Sequence, residues 1–211
     1  MLTRTEVEDL LQGNHELRNF EVKGPGGSED ASLMAKVARA AMGLANLRDG
    51  GYIAIGIDDA QLAEMLPGLD RAQLQSWLSF DTVSSRLAAY ADPPVTFRVQ
   101  PVELSNQKEI VVIEVAEFDF VPHLCRKNFP RSDPNLVLRE GALYVRTRKV
   151  PATSEVPDAS EMREVIDLAT EKALRRYVAT ALRAGIALHP GESIAEASIR
   201  QFDAQQEEGW K

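Results

Sequence analysis

Apolar positions recur along this chain with changing period, and the changes mark out its elements. From Arg4 to Gln12, Val7, Leu10 and Leu11 share one helical face behind the capping candidate Thr3, and Gly13-Asn14 stops the helix. Phe20 to Lys23 reads as a strand. After the breaker Gly24-Pro25-Gly26-Gly27, Ser28 is placed to cap a helix rich in Ala, Leu and Met that runs to about Arg48, with Glu29 and Asp30 in its first turn. Gly50-Gly51 ends it. Tyr52 to Ile57 is a short apolar run without strong alternation, as expected of a central strand covered on both faces, and Asp58-Asp59 close it.

Helical spacing returns from Asp70 to Ala91, with Leu74, Leu78, Val83 and Leu87 inward, until Asp92-Pro93-Pro94. Strands over Val95–Leu104 and Glu109–Val115 flank a hairpin loop, Ser105-Asn106-Gln107-Lys108. Phe118 to Pro134 is a long, proline-bearing connection of the kind that often belongs to a site. A strand over Gly141 to Lys149 follows, then a helix from Asp158 to about Arg183 and a polar tail. The helix carries Met162, Val165, Ile166, Ala169 and Leu174 as a stripe, more often core than interface. The expectation is an α+β fold, a mixed sheet flanked by helices, with residues 1–150 as the domain and 151–211 as a C-terminal helix and tail.

With 44% hydrophobic and 27% charged residues, the 211-residue chain has enough apolar content for one core. It has no apolar run near the ~18 residues of a membrane span, and its first residues lack the apolar core of a secretory signal, so the expected location is the cytoplasm. Cys125 alone, with His15, His123 and His189, cannot build a zinc cluster, which leaves oxygen donors for any metal. A net charge of −8 argues against a general polyanion binder. Yet Phe120 to Lys149 holds seven bases against two acids, a surplus of five that leaves −13 on the rest. Such asymmetry suits a polyanion-facing edge as well as it suits a solvated basic loop.

Glu21 and Lys23, two apart on a strand, project from one face, and Glu16 precedes them. If a helical crossover makes the next strand their neighbour, Asp58 or Asp59 comes near Glu21. Such a group suits phosphodiester cleavage: carboxylates hold a hard divalent cation, and the lysine offsets charge on the phosphate. Scattered carboxylates are more often simply solvated. The Gly24–Ser28 loop could cradle a phosphate but lacks the Gly-Lys-Ser/Thr ending of a P-loop, so a structural role is the better reading. Arg146 and Arg148 share a strand face and could contact phosphates, while Asn46 could simply cap its helix.

Glu16-Leu17-Arg18-Asn19-Phe20-Glu21-Val22-Lys23, then Asn46-Leu47-Arg48-Asp49-Gly50-Gly51 and Gly56-Ile57-Asp58-Asp59, then Gly141-Ala142-Leu143-Tyr144-Val145-Arg146, resemble the Schlafen AlbA-like domain family from about Glu16 to Val150. Val22 replaces the family's usual aromatic residue, and one extra residue lies between Asn46 and Gly50. The resemblance implies a nucleic-acid-binding domain. In the family's nucleases it implies an RNA-cleaving site that uses Mg²⁺ or Mn²⁺, mapped here to Glu16, Glu21 and Asp59, or Asp58, with Lys23 as supporting base. Lys23, Arg139, Arg146, Arg148 and Lys149 are then the nucleic-acid contacts. Three readings stay open: a metal-dependent endonuclease acting on structured RNA such as tRNA, a noncatalytic DNA- or RNA-binding regulator, and an interaction protein whose last helix docks onto a partner or onto a second copy as a homo-dimer.

Overall fold

Four strands form the central sheet in the order β1-β2-β5-β4, where β1 is Phe20–Lys23, β2 Gly51–Ile55, β4 Phe97–Glu103 and β5 Glu109–Val115. The computed structural model describes residues 2–13, 17–130, 137–148 and 151–185. β1 runs parallel to β2, and the other pairings are antiparallel. The crossover between the parallel strands is α2 (Ala31–Ala45), so the expected neighbourhood of β1 and β2 is the one found.

The two middle strands are apolar because both faces are covered. Ile53, Ile55, Val111 and Ile113 pack in one cluster with α2, whereas Ala54, Ile110 and Val112 pack with Val7 and Leu11 of α1 (Arg4–Gln12). Thr3 caps α1 in a reciprocal capping box with Glu6. On α2 nearly every residue from Leu33 to Ala45 is buried, as in a helix apolar on all sides. The tight exit from α2 into β2 needs glycine: Gly50 has φ +67°, and a Cβ there would sit 2.0 Å from the Val115 carbonyl oxygen.

Two local expectations are corrected. Asp30, not Ser28, caps α2, accepting from the Ser32 and Leu33 amides at 2.8 and 3.1 Å. Ser28 is buried and bonded to Ser76 and Arg86, while Trp77 Nε1 donates to the Gly26 carbonyl at 2.9 Å, so neighbouring helices claim the glycine loop. The helical spacing after Asp70 resolves into α3 (Arg71–Leu78) and α4 (Phe80–Ala88), broken at Ser79 with ψ 82°. One straight helix would turn Val83 about 180° away from Leu74. The break lets Leu74, Trp77, Val83 and Leu87 enter one cluster.

Short strands complete the unit Met1–Thr170: β3 (Ala91–Asp92) pairs with β6 (Leu124–Cys125), and β7 (Tyr144–Arg146) with β8 (Thr153–Glu155). Asn46 ties these segments to α2. Its side-chain amide donates to the His123 and Tyr144 carbonyls, each at 2.9 Å, and accepts from the His123 amide at 2.8 Å. Within α5 (Ala159–Arg183), Val165 and Leu168 pack on Phe118 and Val145, so part of the predicted stripe is core. In the second unit, Glu171–Lys211, the described helical residues leave Leu174 and Tyr177 exposed. No helix among the described residues is long and apolar enough to cross a membrane.

Asn46→Ala strands three buried backbone groups, each worth about 1–3 kcal/mol when unsatisfied. Urea denaturation of this variant is expected to show a loss of roughly 2–4 kcal/mol with little change in m-value.

Candidate functional site

β1 is an edge strand, so the carbonyls on its outer side need partners. Arg146, at the end of β7, supplies them. Its Nη2 donates to the Phe20 carbonyl at 2.7 Å and its Nε to the Arg18 carbonyl at 2.8 Å, and its side chain is 2% exposed. A guanidinium so deeply placed needs a counter-charge. Glu21 provides it from β1, with Oε2 accepting from Arg146 Nη1 at 2.6 Å and from Thr153 Oγ1 at 2.7 Å. Lys23 takes the other oxygen of the same carboxylate. The shared face of Glu21 and Lys23 is therefore present, and its product is an ion pair.

Burial alone would push the Glu21 carboxyl up, but Lys23 and Arg146, with hydrogen bonds from Lys23 and Thr153, outweigh it and hold the group below the ordinary carboxylate value. Burial also lowers Arg146, while Glu21 opposes that shift and Arg18 adds to it. Arg146 stays protonated as guanidinium.

The network extends beyond Glu21. Arg18 Nε donates back to the Arg146 carbonyl at 2.6 Å, so the two arginines exchange bonds through their main chains. The Arg18 fork grips both oxygens of Glu164 at 2.8 and 2.7 Å and reaches Glu161 at 2.8 Å. The Glu161 carboxylate accepts from the Arg148 amide at 2.9 Å, and Glu164 lies 3.2 Å from the Arg148 guanidinium. Hydrogen bonding to Arg18 comes first among the causes that hold Glu164 below the ordinary carboxylate value. Arg18, Thr153, Glu161 and Glu164 were not singled out from sequence. Arg18 stands inside the motif between Glu16 and Glu21, and the two glutamates are spaced i, i+3 on one helix, which are the signals that could have found them.

Other expected site residues take no part in the Glu21 network. Asp58 is half-buried, and its Oδ1 would be 2.9 Å from a Cβ on Gly24, beside the end of β1. Asp59 is exposed at the start of a 3-10 turn, Asp59–Gln61. Glu16 and Lys149 fall outside the described residues. Among the described residues no three His, Cys, Asp or Glu side chains are grouped to hold a metal ion. Lys23, Arg146 and Thr153 take three of the roughly four acceptor positions of the Glu21 carboxylate, which leaves one, on the oxygen that meets Lys23, for Mg²⁺ or Mn²⁺. His123 Nδ1 meets the Pro93 carbonyl at 2.7 Å, and the Cys125 thiol donates to the Lys127 carbonyl at 3.3 Å.

The expected phosphate contacts divide. Arg146 is interior, so its guanidinium is a structural tie rather than a surface cation. Arg148 and Arg139 keep 60% and 59% of their side chains exposed, the one beside Glu164 and the other paired with Glu155. Arg139 holds Glu155 with two arms of its fork, whereas Arg148 meets Glu164 through one nitrogen.

A model of the family described as Schlafen, AlbA_2 matches residues 16–149. No curated protein matches the chain. Among solved structures it is similar to the crystal structure of the DIP2311 protein from Corynebacterium diphtheriae, with 17% identity and a TM-score of 0.48, over 76% of this chain and 27% of that one. The chain thus spans about a quarter of that protein's length.

Removing the Glu21 charge leaves Arg146 buried without its anion, a loss of about 3–5 kcal/mol for such pairs. Urea denaturation is expected to show Glu21→Gln in that range, and Lys23→Ala costing less because Arg146 keeps its partner. The pH dependence follows from the lowered carboxyl. Stability from Glu21 is present above the unfolded value of about 4.3 and is lost as pH falls through the folded value, so wild type and Glu21→Gln converge in strong acid.

Proposed function

The chain belongs to the Schlafen AlbA_2 family, and from that premise we propose that it engages nucleic acid, RNA in preference to DNA, as a binding module that does not cut its ligand. The family supports the nucleic-acid association. The observation that carries the noncatalytic reading is the Glu21 carboxylate, whose charge is answered within the fold by Arg146 and Lys23 and which also accepts from Thr153. A general base or metal ligand needs lone pairs turned toward the reacting centre, and here three of the roughly four are turned toward the fold. Phosphate contact falls instead to exposed Arg148 and Arg139. A cytoplasmic location goes with this reading, and self-association, if it occurs, would use exposed Ile166 and Met162 on α5.

The competing reading is a Mg²⁺- or Mn²⁺-dependent endonuclease that joins Glu16 and Glu21 to Asp58 or Asp59. The placement of Asp58 against Gly24, next to Lys23, favours it over a scattered set of acids. That reading requires Glu21 to share Oε1 between Lys23 and the metal while Oε2 keeps Arg146, so the ammonium and the cation would stand against each other.

Fluorescence anisotropy with a labelled RNA hairpin, single-stranded RNA and single- and double-stranded DNA, run beside gels for product, separates the two. The binding module predicts affinity for RNA that weakens as salt rises, persists in EDTA and leaves the strand intact with either metal. Metal-dependent products that vanish with Glu21→Gln would instead establish the nuclease.

A further inference from the structure

Glu164 closes the Arg18 network on its solvent side. Its two oxygens accept from the two terminal nitrogens of the Arg18 fork at 2.8 and 2.7 Å, and Oε2 also lies 3.2 Å from Nη2 of Arg148. One carboxylate therefore bridges two guanidinium groups that are far apart in sequence, one before β1 and one after β7. Fork-on-fork pairing with an oxyanion that is shared with a second cation is also the way guanidinium groups hold a phosphoryl group.

The rest of the network is set deeper. The Glu161 side chain is 7% exposed against 23% for Glu164, and its carboxylate accepts from Arg18 Nη2 at 2.8 Å and from the Arg148 amide at 2.9 Å. Arg18 Nε is bonded to the Arg146 carbonyl at 2.6 Å. These bonds aim the Arg18 fork in one direction independently of Glu164. Val165 and Leu168 pack on Phe118 and Val145, so the stretch of α5 that carries Glu164 is anchored while its side chain meets solvent. In front of it, Glu164, Arg148 and Leu168 line a cleft of about 330 Å³, room enough for a phosphate.

We infer that Glu164 is a built-in stand-in for phosphate: when its side chain turns out to solvent, the Arg18 fork and Arg148 together bind a phosphoryl group in its place. The inference rests on the nucleic-acid reading above, and adds to it a further contact, Arg18, and an acid that competes with the ligand for both arginines. Glu161 is a positioning residue, holding Arg18 and the Arg148 backbone through the exchange. No helix has to move, because the exchange is the rotation of one side chain. The ligand chemistry is a phosphoryl group, which a strand of RNA or a free phosphate supplies.

The test titrates a fluorescein-labelled single-stranded RNA against wild type, Glu164→Gln, Asp167→Asn and the double variant Glu164→Gln/Arg148→Gln, with circular dichroism to establish that each is folded. A parallel titration follows the arginine Nε–H NMR signals of wild type and Glu164→Gln as pyrophosphate is added. Asp167 is exposed about one turn further along α5 and lines the same cleft, so its variant removes an equal charge without touching Arg18. If Glu164 competes with phosphate, Glu164→Gln tightens RNA binding about fivefold, Asp167→Asn much less, and Arg148→Gln cancels the gain. Pyrophosphate then shifts the Arg18 and Arg148 signals of Glu164→Gln at lower concentration than those of wild type. An equal gain in both acid variants, or no gain in Glu164→Gln, with wild type binding RNA, overturns the stand-in and leaves the nucleic-acid reading standing. So does a gain in RNA affinity without a pyrophosphate shift at Arg18. If no form binds nucleic acid but pyrophosphate shifts both signals more readily in Glu164→Gln, the stand-in holds for a free phosphate and the nucleic-acid reading falls. No RNA binding and no pyrophosphate shift overturns both.

Discussion

The contact of Arg146 with Glu21 is the constraint on which the arrangement around β1 depends. An edge strand must have its outer carbonyls answered, and a neutral donor from a loop would suffice for one of them. Here one guanidinium answers two carbonyls, and the cost of burying its charge is met by a carboxylate on the strand itself. Glu21 is consequently a fold residue first. Lys23 and Thr153 then complete its shell, and Arg18 hands the same order on to the first turns of α5. The motif that suggested chemistry and the tie that closes the sheet edge are made of the same atoms.

The polarity of the basic segment changes meaning once its partners are seen. Three of its arginines, Arg139, Arg146 and Arg148, face Glu155, Glu21 and Glu164, two of which lie beyond the segment's C-terminal end and one far before it. A charge surplus counted along the chain therefore overstates the field at the surface.

Local devices were legible and distant ones were not. The Thr3 cap, the β4–β5 hairpin and the doubly covered run in β2 depend on residues within a few positions of one another, and each is where its pattern puts it. Ser28 misled because Ser, Asp and Asn are all good caps, and Ser76 and Arg86 had a prior claim on its hydroxyl and amide. Arg146 and Arg148 were read as one face of one strand. Since β7 ends at Arg146, the two diverge, and their 2% and 60% exposures follow from it. The partner that draws Arg146 inward is 125 residues away, beyond the reach of any periodicity.

The reciprocal exchange between Arg18 and Arg146 also bears on how the chain comes off the ribosome. β1 is made before β7, and the residue that covers its open side is 126 positions behind the carbonyl it caps. Until that stretch has been synthesised, the nascent polypeptide carries an unsealed strand edge with a short, apolar-backed surface, the kind of template that recruits other chains. Completion of the hairpin near the end of the domain is then the event that retires this hazard, and truncations that stop short of it would release a product prone to clumping.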